Sequence, residues 1–419
     1  MQKEEIMASA QDYKIEYLNA TEEQKDYARL ARQIVETTLR PKLDELENAN
    51  DGLGAYDWET HNALLEAGFY AMNMPEELGG LDLDVITRAL IIEQMSHVSP
   101  AFTFSFRGLG DKFNLIRDSH IPQADKDEWI RRMLEEGVGG AFGLTEPDAG
   151  SDSKAIKTSA VYDPATKEWV INGTKCFITN GSISEFYGIF AWTDKTKKAS
   201  EGITCFLVEK DRGIEVTKPE NKMGFHLSPT TQLVLNDVRV PEDHIVGELG
   251  KGFSTAMGAL FTARPFNSVF AVGAAQEAVD VAVKYANERQ TFGKTIINHQ
   301  AVAFQLADLQ MKVDTARAMT YYALTVCDKY DKMSKEEKEK LTDAEKKMYR
   351  RISSEGKAYP TELCQQVAID AMQILGGYGY MKEYPLERIA RDLRLFTIFG
   401  GTNEIQRVII SRALKDAKK

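Results

Sequence analysis

The segment Phe142–Asp152, FGLTEPDAGSD, is where one kind of sequence gives way to another. Glycine, proline and aspartate free its backbone to turn and to present N–H groups, and Thr145 and Ser151 add hydroxyls. Such a loop can hold a ring edge or phosphate oxygens, or simply join two domains. Upstream, residues 1–140 read as helix. Thr21 before Glu22 and Glu23 is an N-cap with acids in the first turn, and Tyr27, Leu30, Ala31, Ile34 and Val35 keep helical spacing. Helices follow from Trp58 to before Gly68 and over Val85–Met95, around a loop at Pro75 and Gly79-Gly80. Downstream, residues 141–250 hold short runs rich in Val, Ile, Thr and aromatics: Lys157–Tyr162, Trp169–Ile171, Phe186–Trp192, Ile203–Val208 and Gln232–Val240. Asn172-Gly173 is a tight-turn signal between two of them, and the spacing predicts a β-barrel-like domain. From Gly252 helical texture returns over 251–419, with helices at Phe270–Arg289 and Gln300–Tyr330 and a last group over Pro360–Lys415. The charged stretch 328–349 reads as a solvated turn and helix extension. The fold class is α+β: helical domain, strand domain, helical domain.

The chain's 419 residues exceed one simple core and fit two or three domains. A net charge of −11 gives no basic face for nucleic acid. No run of about 18 apolar residues suggests a membrane span, and the N-terminal MQKEEIMASAQDYKIEYLNA has neither a signal-peptide core nor transit-peptide composition. Cys176, Cys205, Cys327 and Cys364 lie far apart without CxxC spacing, which points to a reducing cytoplasm and away from a disulfide framework or zinc site. The six histidines form no metal or triad pattern.

Four further segments carry possible chemistry. INGTKCFITNG (Ile171–Gly181) reads as a hairpin with Thr179 just before a second Asn-Gly turn. ERQTFGKTIINHQ (Glu288–Gln300) places Arg289 at a helix end, as a dipole partner or a pyrophosphate ligand. In QILGGYGYMKEYPLER (Gln373–Arg388), Gly376-Gly377 stops a helix and permits close backbone approach. In IFGGTNEIQR (Ile398–Arg407), glycines precede Thr402 as N-cap of a final helix, a ready anion site.

Each signal is weak alone. In this order, LTEPDAGSD, INGTKCFITNG, ERQTFGK, QILGGYGY and GGTNEIQR resemble the acyl-CoA dehydrogenase family over about residues 25–415. The resemblance implies an N-terminal helical domain, a middle β-domain and a C-terminal four-helix bundle, assembled as a homotetramer, a dimer of dimers with FAD at the dimer interface. It implies an acyl-CoA substrate that loses a proton α to the thioester and a hydride from the β carbon, with electrons passing to an electron-transferring flavoprotein. By motif, Thr145 and Thr179 correspond to hydroxyls at the flavin ring, and Phe177 stands where many relatives have Trp beside it. Phe142, Leu144 and Ser151 fall in the segment shared by flavin and thioester. Arg289 and Phe292 correspond to FAD contacts, Gln373 and Gly377 to contacts with the partner subunit's FAD, and Thr402 and Glu404 to further cofactor contacts. Arg264 matches an arginine near the active site.

One departure matters. Most members place the catalytic Glu at the position of Gly400; a second subgroup supplies it from the position of Ala263, before Arg264. Neither residue here accepts a proton, and general-base help is worth about 10²–10⁴-fold. Three readings are open. The base has moved: the segment HVSPAFTFSFRGLGDKF (His97–Phe113) matches the acyl-pocket wall, Phe106 and Arg107 line it, and Asp111 is its carboxylate, as in relatives that take a wall aspartate for alicyclic acyl groups. Against this, Arg107 and Asp111 at i,i+4 also read as an ordinary ion pair. In the second reading the reaction is non-oxidative cleavage of a sulfinoacyl-CoA, with Arg107 on the sulfino group. In the third the chain is a flavin-binding homologue of low activity.

Overall fold

The structure, a computed structural model, describes residues 20–415; most of the N-terminal stretch read for targeting signals lies outside them. Thr21 opens α1 (Glu22–Thr38) with a reciprocal box: its hydroxyl accepts from Gln24 N–H and the Gln24 side chain accepts from Thr21 N–H. Ala28, Ala31 and Val35 form its buried stripe. Then come α2 (Leu43–Gly52), α3 (Trp58–Glu66), α4 (Val85–Val98), α5 (Pro100–Gly110), α6 (Phe113–Arg117) and α7 (Gln123–Glu136). Asp84 and Ser99 cap α4 and α5 through their side-chain oxygens.

The middle region is one eight-stranded sheet: β1 (Gly140–Gly143), β2 (Ser159–Asp163), β3 (Glu168–Thr179), β4 (Phe186–Trp192), β5 (Ile203–Glu209), β6 (Glu215–Val216), β7 (Thr230–Pro241) and β8 (Ile245–Val246). The order is β6-β7-β3-β2-β4-β5-β8, with β1 parallel to β4. Asn172-Gly173 does not turn the chain as expected. It lies inside the 12-residue β3, at a register shift against β7. Asn172 exchanges hydrogen bonds with the side chain and N–H of Asp237, at 3.0 and 2.9 Å. A Cβ on Gly173 would meet Thr158 Oγ1 at 2.2 Å, so glycine serves a close approach here.

The last region contains α8 (Gly252–Glu288), a hairpin of β9 (Gln290–Thr291) and β10 (Lys294–Thr295), α9 (Gln300–Asp331), α10 (Asp343–Leu375), α11 (Leu386–Leu395) and α12 (Asn403–Lys415). Within 328–349 a short helix, Lys335–Lys340, joins α9 to α10. α8, α9, α10 and α12 make the bundle, with α10 against the other three. The expected helix start at Pro360 is instead mid-helix, and Pro265 likewise lies inside α8. Each proline orphans the carbonyl four residues back. Ser353 Oγ of α10 donates to Phe261 O (2.6 Å), and Ser268 Oγ of α8 donates to Gly356 O (2.7 Å). The two facing helices thus repair each other's proline break. One apolar core runs through both helical regions and another fills the sheet. Among the described residues no helix is long and apolar enough to cross a membrane, and all four cysteines are buried and free.

Candidate active site

After β1 the chain turns at Glu146, whose carboxylate is almost fully buried. Lys175 of β3, with no exposed surface, meets it at 2.7 Å and also donates to the carbonyls of Phe190 (2.7 Å) and Leu144 (3.3 Å). Burial pushes the Lys175 ammonium down to about 8, against the pull of Glu146. Cys176 N–H donates to Thr145 O (3.0 Å), so the loop is stitched to β3. Thr145 is thereby set against Cys176, in the strand that also carries Phe177 and Thr179. Phe177 sits at a β3 register shift with φ +56° and is 68% exposed. The hydroxyls of Thr145 and Thr179 have no hydrogen-bond partner among the described residues. The result is a ledge with an aromatic face and free hydroxyls. Ser151 is exposed at its rim, while Phe142 packs on Phe190 (4.6 Å) and Leu144 is buried in the core.

Asn180, at φ +64°, ties the ledge to α5 by donating to Ser105 O (2.8 Å). The faces of α5 then diverge. Phe106 is fully buried among His61, Tyr70 and Phe102, in the N-terminal core. The face toward α8 instead carries Phe104, Arg107 and, just past the helix end, Asp111. Phe104 touches Phe270 (5.3 Å) and Phe399 (4.8 Å), and the Arg107 guanidinium lies 4.0 Å from the Phe266 ring centre. The anticipated Arg107–Asp111 pair exists at 2.9 Å; the other Asp111 oxygen accepts from Asn73 at 2.9 Å.

Gly400 and Gly401 follow Phe399 with φ of +65° and +86°. A Cβ on Gly400 would lie 2.5 Å from Asn267 Nδ2. Asn267, from α8, therefore fills space that a side chain at 400 would need. It is 7% exposed, and its amide has no hydrogen-bond partner among the described residues. Lys357 of α10, fully buried, holds the same turn from behind through Gly401 O (3.0 Å) and Asn403 Oδ1 (2.7 Å). Burial pushes its ammonium down to about 7. Ala263 and Arg264 lie about one turn before Asn267 on α8; Arg264 Nε is buried without a partner. Sequence reasoning passed over Lys175, Asn267 and Lys357.

A cleft of about 520 Å³ brings together Arg289, Gln373, Gly377 and Tyr378. Gly377 faces open space, and Gly376 (φ +59°) makes the turn after α10. Phe292 stands at the tip of the β9–β10 hairpin, 96% exposed. Thr402 Oγ accepts from Ile405 N–H (3.3 Å) and so caps α12. Glu404, in the first turn of α12, is exposed, and its own N–H and Thr402 hold its carboxyl below the usual range. The ledge and the cleft suit a ligand with a flat ring at one end and an anionic, hydrogen-bonding tail: exposed aromatic faces, an open glycine and, among the described residues, hydroxyls without a partner and a guanidinium without an ion pair. Those are the needs of FAD, and Thr145, Phe177 and Thr179 do not line the Arg289 cleft.

The profiles for the acyl-CoA dehydrogenase N-terminal, middle and C-terminal domains match residues 21–137, 141–238 and 250–415. The chain belongs to the acyl-CoA dehydrogenase family. These are FAD-dependent oxidoreductases acting on CH–CH bonds. The acryloyl-CoA reductase (NADH) of Anaerotignum propionicum is 36% identical over 397 residues, 94% of each chain. A subunit of the caffeyl-CoA reductase-Etf complex of Acetobacterium woodii is 34% identical over 400 residues, 94% of this chain and 98% of that one. The solved butyryl-CoA dehydrogenase of Megasphaera elsdenii superposes with a TM-score of 0.80 at 33% identity, covering 94% of this chain and 99% of that one.

The Arg289 assignment has a direct consequence. If Arg289 holds the anionic tail, as its motif implies, replacing it with Ala is expected to weaken FAD retention about tenfold or more. Flavin content per chain after gel filtration measures it; unchanged content contradicts the role.

Proposed function

We propose that this chain oxidises, or in the reverse direction reduces, the Cα–Cβ bond of an acyl-CoA thioester, with Asp111 as proton carrier in place of the two usual glutamates. The supporting observation is the meeting of α5, α8 and the Gly400 turn. Gly400 has no side chain and its space is filled by Asn267, while α5 carries the Arg107–Asp111 pair to the ring of Phe266, the residue before Asn267. Bound FAD supplies hydride transfer at the β carbon. The chain's own residues do the rest. Phe104 and Phe399, half-buried and in ring contact, offer apolar surface for the acyl group and help keep water out. Thr145 and Thr179 present hydroxyls at the ledge, and Asp111 exchanges the α proton.

Arg289, Gln373 and Gly377 lie in a cleft apart from the ledge, which suits a cofactor shared between two subunits of a homotetramer. The Acetobacterium relative, a subunit of a reductase–Etf complex, favours an electron-transferring flavoprotein as redox partner. A cytoplasmic location accords with four unpaired cysteines.

Anaerobic titration of the flavin spectrum with straight-chain, alicyclic and sulfinoacyl-CoA esters tests the proposal. Bleaching of the oxidised band by one ester is the expected result. Perturbation without bleaching, with sulfite released from the sulfino ester, would replace it with the non-oxidative reading, for which Arg107 near the pocket is the favouring observation. Protein purified without flavin, and unable to take it up, would favour the low-activity homologue.

A further inference from the structure

Lys357 is a buried cation without a counter-ion. Its side chain has no exposed surface and ends on the Gly400–Gly401 turn, donating to Gly401 O at 3.0 Å and to Asn403 Oδ1 at 2.7 Å. Among the described residues two carboxylates face it, and both are engaged elsewhere. Glu362, farther along α10, accepts from Arg407 through both oxygens, at 2.7 and 2.6 Å. Glu404 of α12 is exposed and held by its own N–H and Thr402. Arg264 of α8 faces Lys357 with the same sign of charge. Lys175, another lysine with no exposed surface, shows the ordinary solution: Glu146 neutralises it at 2.7 Å.

Burying an ammonium without a counter-ion is costly, and burial pushes Lys357 down to about 7. That cost falls behind the turn where, by the resemblance, most relatives carry a Glu at 400. Here Gly400 has no side chain, and the neutral amide of Asn267 lies 2.5 Å from where its Cβ would be. The turn thus holds a cation with no anion to answer it. The start of α12 adds to the same sign, because the positive end of this 13-residue helix follows directly after Gly401. By binding Gly401 O, Lys357 also polarises the Gly401–Thr402 peptide and makes its N–H end more positive.

We propose that Lys357 is a positioning residue that acts through the Gly401 peptide, setting a positive potential at the turn that stabilises the thioester enolate. This rests on the acyl-CoA reading and goes beyond it. When the α C–H bond breaks, the proton passes to the Asp111 carboxylate and the electron pair stays on the thioester as enolate. A fixed charge that is unanswered in the resting protein and answered by the enolate favours the charged state selectively. A carboxylate at 400 would offset Lys357. Without it the site makes the substrate more acidic, so a base held in an ion pair suffices.

The test uses holoenzyme and acetoacetyl-CoA, whose α carbon lies between two carbonyls and ionises to an absorbing enolate. Its pKa is read from the enolate band, free and bound, in the parent, Lys357→Met and Lys357→Gln. Binding to the parent is expected to lower that pKa by about one unit or more. Both variants should lose most of the shift. Lys357→Gln keeps a donor for Gly401 O without the charge, so a merely structural lysine predicts that this variant retains the shift. A parent that leaves the pKa at its free value overturns the proposal whether or not the variants fold, and so does a flavin-loaded Lys357→Gln with the full shift. If neither acetoacetyl-CoA nor butyryl-CoA changes the flavin spectrum, the acyl-CoA reading falls and this one with it.

Discussion

Replacing Lys175 with Met should destabilise the folded chain by about 3–5 kcal/mol and release bound flavin. The ammonium has no exposed surface and meets Glu146 at 2.7 Å, also satisfying the carbonyls of Phe190 and Leu144. Methionine fills similar volume, so the loss is electrostatic: a buried carboxylate and two carbonyls lose their partner. Glu146 keeps the N–H of Thr158 at 3.1 Å, which places the effect nearer the lower end. Because Glu146 and Thr145 are anchored to the same strand, the Phe142–Asp152 loop should loosen, taking the Thr145 hydroxyl from the ledge. Urea midpoints of holo and apo protein measure the stability term, and flavin content measures the second. Adding Glu146→Gln should recover part of the stability, since an uncharged side chain tolerates the lost ammonium. A single variant as stable as the parent would show that the pair contributes nothing.

The three-part plan was legible because helical periodicity gives way to short strand runs and then returns, and the chain folds as helices, a sheet and helices again. What misled was local punctuation whose meaning is set by partners far away in sequence. Asn172-Gly173 has the chemistry of a hairpin turn, yet Asp237 on β7 binds Asn172 and Thr158 crowds Gly173, so the pair becomes an irregularity in one long strand. Pro360 should begin a helix, but Ser268, 92 residues upstream, caps the carbonyl it orphans. The site shows the same division. Motif residues such as Thr145, Arg289 and Gly377 stand out in the sequence as candidates because each sits in a glycine-rich or turn-rich segment. Lys175 and Asn267 could not be ranked, although each is a polar residue in a mainly apolar stretch, Lys175 in TKCFI and Asn267 in PFNSVFAV. Such an interruption of a buried run is the signal available, and it says a partner exists without saying which. For Asn267 that partner space lies at Gly400, 133 positions away.

Converting Asp111 to Asn should lower turnover at least about a hundredfold while leaving flavin content and ester binding nearly unchanged. Asparagine is isosteric and still offers one oxygen, so Asn73 or Arg107 retains a partner, but the amide cannot take a proton at any pH that the fold survives. A purely structural role for the Arg107–Asp111 pair predicts something different: weaker binding and lower stability, with turnover per bound flavin preserved. The discriminating readout is exchange of the substrate's α hydrogen with deuterium oxide in the absence of an electron acceptor, which needs the base but no net oxidation. If Asp111 carries the proton, exchange and turnover fall together in Asp111→Asn. For that to happen, one of its two contacts, at 2.9 Å to Arg107 and 2.9 Å to Asn73, must yield to the substrate. The Asn73 bond is the weaker candidate because it joins a neutral donor. Asn73→Ala should therefore spare exchange, whereas full exchange and turnover in Asp111→Asn would remove Asp111 from the chemistry and leave Arg107 as the functional member of the pair.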